Sequence, residues 1–130
     1  MINLVLVLQF QNLLFMETKL YNFDYLKELS GGDKEFEDTM ISYFISNTPN
    51  LVQTIDDLVA NEDWKQIRED IHRFIPNLNV VGASLLLDDA NNIEKYTETG
   101  QNLEKVPVLW TTLREQCLLV VKQLENDYNI

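Results

Sequence analysis

The fold is decided by residues 64–83, WKQIREDIHRFIPNLNVVGA. In this stretch the apolar side chains recur every three or four residues, the spacing that places them on one face of an α-helix. They are Ile67, Ile71, Phe74, Leu78 and Val81. The pattern predicts an amphipathic helix from about residue 62 to about residue 79, with one face buried against partner helices.

Helical spacing continues on the N-terminal side of this stretch. A short helix is predicted around residues 23–29, ending at the Ser-Gly-Gly sequence 30–32, and Asp33 follows as the N-cap of a longer helix with Glu35 in its first turn. We expect this longer helix to bury Phe36, Met40, Tyr43 and Phe44. Thr48 before Pro49 predicts that the helix kinks or restarts there.

The central helix has its own start signal in Asn61, a capping amide that two acidic residues follow. After Gly82, a further helix is expected to bury Leu86, Ala90, Ile93 and Thr97 and to end at Gly100. A last helix after Pro107 is expected to bury Leu109, Leu113, Cys117, Val120 and Leu124. Because short connections favour antiparallel neighbours, we predict an all-α fold, an antiparallel four-helix bundle with a short N-terminal capping helix.

Length and charge limit the classes of function. The 130 residues suit one domain, and ten Lys and Arg against twenty-one Asp and Glu give a net charge of −11. Such a surface repels phosphate backbones, so we expect no nucleic acid partner. The single cysteine, Cys117, cannot form an internal disulfide and is expected to be buried, which fits a cytoplasmic location.

The first fifteen residues, MINLVLVLQFQNLLF, contain no charge. They lack the basic start and the cleavage site of a signal peptide and are shorter than the roughly 20 residues of a membrane span, so no membrane partner is expected. We interpret residues 1–15 as an apolar, dispensable extension and residues 16–130 as the domain. The alternative is an extra helix that pads the bundle or mediates self-association.

The only histidine, His72, lies about 100° round the helix from Ile71, toward solvent. Arg68 and Glu69 are its neighbours on that side, and Arg73 is adjacent in sequence. Cations in an acidic protein suit a phosphoryl group, although an ordinary surface histidine beside a mixed-charge face gives the same pattern.

Residues 71–83, IHRFIPNLNVVGA, resemble the active-site helix of histidine-containing phosphotransfer (HPt) domains, with a basic residue after the histidine and a glycine ten positions on. Residues 20–33, LYNFDYLKELSGGD, resemble the usual beginning of that family, and Ile93-Glu94 matches its later helix. The resemblance covers roughly residues 19–126. It agrees with the predicted four-helix bundle.

The resemblance implies a phosphoryl carrier in a two-component phosphorelay. His72 would accept a phosphoryl group from an aspartate of a receiver domain and pass it to another receiver, without kinase activity of its own. The implied partners are response-regulator receiver domains, a hybrid histidine kinase, or both. The carrier is expected to need no cofactor and no metal, because Mg²⁺ would be held by the receiver.

Position 75 departs from the family, which usually has lysine three residues after the histidine, whereas this chain has Ile75. Arg68 and Arg73 are the candidate replacement cations, although Arg68 points away from the histidine and Arg73 would have to bend across the helix. Ile75 itself would extend an apolar contact with a receiver.

Three residues complete the predicted docking surface. Pro76 and Gly82 have little bulk to obstruct an approaching receiver, and Asn79 lies two turns along the same helix face. Gly82 is equally well explained as a residue that breaks the helix and allows close packing.

Three rival functions follow from the same residues. Glu69 and His72 have the Glu-x-x-His spacing of a di-iron bundle, but that site needs a second such pair and the chain has no second histidine, which also excludes hydrolase triads and zinc sites. With Ile75 in place of lysine, the domain could instead bind receivers without accepting phosphate. The third is a purely structural helical interaction module.

Overall fold

The computed structural model describes residues 3–7 and 18–128, and within these residues every regular element is helical. The helices are α1 (Asp24–Ser30), α2 (Lys34–Ala60), α3 (Trp64–Val80), α4 (Leu87–Thr99) and α5 (Val106–Tyr128). Short 3-10 turns at Ser84–Leu86 and Leu103–Lys105 lead into α4 and α5. The predicted all-α class is confirmed.

The four long helices form a closed antiparallel bundle. Helix α3 packs against α2 and α4, and α5 packs against the same two helices from the other side. Helix α1 lies across α2 and α3 at one end and buries Leu26. The predicted stripe of α3 is fully buried at Ile67, Ile71 and Leu78, so that the opposite face of α3 is left for solvent.

The capping amide Asn61 predicted that α3 starts at about residue 62, but the helix begins two residues later, at Trp64. Asn61 instead ends α2, and the side chain of Asp63 accepts a hydrogen bond from the backbone N–H of Gln66. The chain turns between the two helices through Glu62, whose φ is 53°. The Asp33 cap of α2, by contrast, is confirmed, because its side chain accepts from the N–H of Phe36.

Helix α2 does not restart at Pro49 but runs without interruption from Lys34 to Ala60. Pro49 is exposed, so its ring lies on the solvent side of the helix. Thr48 is fully buried and does not cap a new helix.

Four apolar side chains predicted to be buried are at least partly exposed, and Met40, which is half-buried, is one of them. Phe36 is 40% exposed, Tyr43 is 51% exposed, and Leu109 is half-buried, with the neighbouring Trp110 taking its place in the core. Residues 36–45 carry more apolar side chains than one face of a helix holds, so the core side of α2 is selected by the partner helices. The positions selected are Ile41, Phe44, Thr48, Val52 and Ile55.

Hydrogen bonds with α5 hold the segment before α1 against the bundle. The side chain of Gln123 on α5 donates to the carbonyl of Thr18 and accepts from the N–H of Leu20, each within 2.9 Å. The Leu20 side chain is buried. The segment therefore joins the C-terminal part of α5 before the chain enters α1.

Of the predicted N-terminal extension, only residues 3–7 belong to the described residues. Residues 4–7 form one helical turn in which Leu4, Val5 and Leu6 are each more than half exposed. The remainder of residues 1–15, and the predicted domain start at Met16, lie outside the described residues. Among the helices that the structure describes, none combines the length and the apolar character needed to cross a membrane.

Candidate functional site

His72 lies on the solvent side of α3, and 67% of its side chain is exposed. The opposite side of its helix is occupied by the buried stripe that begins at Ile67, which holds α3 in a fixed rotation. Exposure of His72 follows from the wheel position that the sequence indicated. The imidazole is therefore accessible to a partner molecule.

A carboxylate from the neighbouring helix holds one nitrogen of His72. Nδ1 lies 2.5 Å from Oε1 of Glu94 on α4, and the Glu94 side chain is 21% exposed. A carboxylate only accepts hydrogen bonds, so Nδ1 carries the proton and donates it to Glu94. The lone pair of the neutral ring is then on Nε2, the nitrogen that Glu94 does not contact.

Arg73 is held on the other side of α3. Its Nη2 lies 2.5 Å from Oδ1 of Asp70, a carboxylate that is 8% exposed and also accepts from Nε2 of Gln66. Asp70 and Arg73 line a cavity of about 370 Å³ between α2 and α3. His72 faces α4 and Arg73 faces α2, so the two adjacent side chains are directed to opposite neighbours.

The two remaining positions, Arg68 and Ile75, supply no cation that an ion pair with a described residue fixes beside His72. Arg68 lies one turn before His72, is half-buried, and makes no ion pair with another described residue. Ile75 is half-buried and packs against the hydrophobic core. The surface next to the imidazole therefore contains one fixed anion, Glu94, and no fixed cation among the described residues.

Pro76 and Asn79 lie on the exposed side of α3, one and two turns after His72. Gly82 lies at the end of this surface, and its φ of +65° is in the left-handed region. An added Cβ at this position would lie 1.8 Å from the carbonyl oxygen of Asn22. The N–H of Asn22 donates to the carbonyl of Val81 at 3.1 Å. Packing against the segment before α1 thus accounts for Gly82, and a docking role stays a prediction.

The seam between α3 and α4 opens into a cavity of about 590 Å³ beyond Asn79. Helix α1 forms its third wall. Its floor is apolar, and its rim is polar. The lining consists of Asn22, Asp24, Tyr25, Leu78, Asn79, Gly82, Ser84 and Leu87.

The single cysteine takes no part in this site. Cys117 is fully buried in the core, as predicted, and burial raises the pKa of its thiol to about 12. The thiolate is the nucleophilic form, so the side chain is chemically inert in the folded protein. Within residues 3–7 and 18–128, no group of three or more His, Cys, Asp or Glu side chains is placed to hold a metal ion.

Sequence reasoning did not assign a role to Glu94. The sequence points to Glu94 only through its place in the family's later helix, since no local spacing connects it with a histidine twenty-two positions earlier. The register of two antiparallel helices brings them together. In comparisons with known proteins, the chain matches no family model, no curated protein and no solved structure.

Proposed function

We propose that this chain is a phosphoryl carrier of a two-component phosphorelay in the cytoplasm, with His72 Nε2 as the atom that bears the phosphoryl group. The proposal rests on the resemblance of residues 71–83 to the HPt active-site helix and on one structural observation. That observation is an exposed imidazole whose Nδ1 is held by Glu94, which leaves Nε2 free.

The chemistry is nucleophilic catalysis by a carrier. The Nε2 lone pair attacks the phosphorus of a receiver's aspartyl phosphate, the N–P bond forms, and the acyl phosphate P–O bond breaks with its electron pair leaving on the receiver's carboxylate. The ring becomes positively charged while its Nδ1 proton remains hydrogen-bonded to Glu94. The Glu94 carboxylate stabilises that positive charge and fixes the ring orientation.

Charge neutralisation at the phosphoryl oxygens has to come largely from the partner. Phosphoryl transfer depends on positioning and on cations near the transferred group, and the described surface around His72 offers no cation fixed by an ion pair. A receiver domain that carries Mg²⁺ in its acidic pocket would supply it. Response-regulator receivers, free or within a hybrid histidine kinase, are therefore the proposed partners.

The experiment that tests the proposal uses the full chain and two donors. The wild type and His72→Gln are incubated with phosphoramidate, a small donor that needs no docking, and separately with a phosphorylated receiver domain and Mg²⁺, and intact mass is measured at neutral pH. We expect a phosphoryl increment that acid removes and that His72→Gln lacks. Absence of the increment with both donors would overturn the proposal.

A second candidate function is supported by Ile75. Because this side chain packs against the core and leaves the histidine without a cation, the domain could bind receivers without accepting phosphate. The two functions differ in the receiver experiment. A receiver that binds the chain in a pull-down or titration, with no mass increment from either donor, supports the docking module.

A further inference from the structure

The cavity at the end of the α3–α4 seam has the chemistry of a site for a cationic side chain. Leu78 is fully buried and Leu87 is half-buried, so they form an apolar floor, whereas the rim residues Asn79 and Ser84 are exposed and polar. Its volume of about 590 Å³ lies within the range of roughly 300–1,000 Å³ that is usual for ligand pockets.

The rim of this cavity carries a negative charge. Among the described residues that line the cavity, only Asp24 is charged, and its carboxylate makes no ion pair with another described residue. The part of the chain that the structure describes contributes no lysine or arginine to the lining. With a net charge of −11 on the whole chain, the field at this rim attracts cations.

Tyr25 adds an aromatic wall. Its side chain lies on the rim and is 47% exposed, so a ring face is available to a ligand. A lysine or arginine has an aliphatic stem that covers apolar surface and a charged head that binds carboxylates and aromatic faces. Leu78 and Leu87 suit the stem, and Asp24 and Tyr25 suit the head.

We propose that this cavity receives a lysine or arginine side chain of the protein that docks over His72. Asn79 follows His72 by seven residues on α3, and Leu87 precedes Glu94 by seven on α4, so the cavity lies two helical turns, about 10 Å, along the same seam. One docking partner can therefore reach both. The inference rests on the proposed function only in taking that partner to be the one that approaches His72.

The direct test uses capped arginine, N-acetyl-arginine amide, added to ¹⁵N-labelled full chain, with N-acetyl-norleucine amide as the neutral probe. Saturable shifts are expected for the backbone signals of Asp24, Tyr25, Asn79 and Ser84 with capped arginine. Capped norleucine is expected to bind at least tenfold more weakly. Equal binding of the two probes, or no saturable shift with capped arginine, would overturn the cation site.

Variants of two lining residues test whether capped arginine binds in this cavity. Asp24→Asn and Tyr25→Leu are each expected to weaken capped arginine at least threefold, whereas Asp57→Asn, the same change of charge at an exposed position of α2, leaves its affinity unchanged. Tyr25→Leu keeps the acidic residue in the first turn of α1, so it gives a reading even if Asp24→Asn loosens that helix. Equal affinity of all variants would contradict the assignment.

A second measurement separates this site from the histidine chemistry. Asp24→Asn is expected to slow transfer from a phosphorylated receiver at least threefold and to leave phosphorylation by phosphoramidate unchanged. Absence of phosphorylation of the wild type with both donors would reject the proposed function and leave the probe titration valid. Unchanged receiver transfer in Asp24→Asn would reject the docking role of the cavity.

Discussion

The imidazole of His72 and the carboxylate of Glu94 meet across the seam between α3 and α4, with Nδ1 and Oε1 2.5 Å apart. This contact joins the centres of two helices that are held in register by their buried faces. It fixes which nitrogen of the ring is protonated and which is available. The chemistry proposed for His72 therefore depends on a residue of another helix.

Replacement of Glu94 by alanine is expected to slow phosphorylation of His72 by phosphoramidate about tenfold, the effect of losing one hydrogen bond to a charged group. Glu94→Gln keeps an acceptor oxygen, so it is expected to slow this phosphorylation less than Glu94→Ala does. The control is Glu98→Ala, an exposed acid one turn along α4. Equal rates for the wild type and Glu94→Ala, measured by intact mass against time, would exclude a role for this contact.

Ile75→Lys is expected to raise the phosphorylation rate at least about tenfold, because a cation three residues after His72 leans back toward it and neutralises the phosphoryl oxygens. Ile75 is half-buried, so the free energy of unfolding should fall by about 1 kcal/mol. Ile75→Gln, which is polar without charge, serves as control. A rate unchanged by lysine would show that position 75 does not limit the chemistry.

Gly82→Ala is expected to lower the free energy of unfolding by about 3 kcal/mol, since it combines a left-handed backbone with a clash against the carbonyl of Asn22. Gly100 also has a positive φ, of +74°, but open space around it. Gly100→Ala should therefore cost only about 1–2 kcal/mol. Urea unfolding of both variants measures the difference, and equal losses would argue against the close approach at Gly82.

Cys117 provides a pH-dependent prediction. Burial raises the pKa of its thiol to about 12 from an ordinary value of 9.0, so the folded protein keeps a proton that the unfolded chain releases. This contribution to stability is complete below pH 9 and is lost as the pH rises toward 12. The fall in unfolding free energy over that window should be smaller in Cys117→Ala, and iodoacetamide should label the wild type only in denaturant.

The buried stripes of α3 and α4 could be predicted from the sequence, because each has a single narrow row of apolar residues. Ile71 and Ile93 are buried as expected. The buried face of α2 was harder to predict, because residues 36–45 offer several rows of apolar side chains. Contact with α3 and α5 decides which of these rows is buried. Phe36 and Tyr43 were misplaced for that reason.

At the candidate site, sequence reasoning found the exposed histidine but not its surroundings. The rotation of α3 placed His72 toward solvent, and a helical wheel contains that information. The hydrogen bond of Glu94 and the ion pair of Arg73 with Asp70 depend on helix register and on rotamers. The contact with Glu94 cannot be read from spacing along one helix, whereas Asp70 and Arg73 lie three residues apart on α3, a spacing at which opposite charges pair.

The hydrogen bonds between the Gln123 side chain and the backbone of Thr18 and Leu20 bring residues 18 and 128 to the same end of the bundle. A domain fused directly to residue 18 or to residue 128 would therefore emerge from the same end of the bundle, the end where α1 crosses it. These adjacent ends also make residues 18–128 a candidate for circular permutation, in which residues 18 and 128 are joined and a new break is opened in the exposed turn at Glu62. Such a rearranged chain would keep the α3–α4 seam intact.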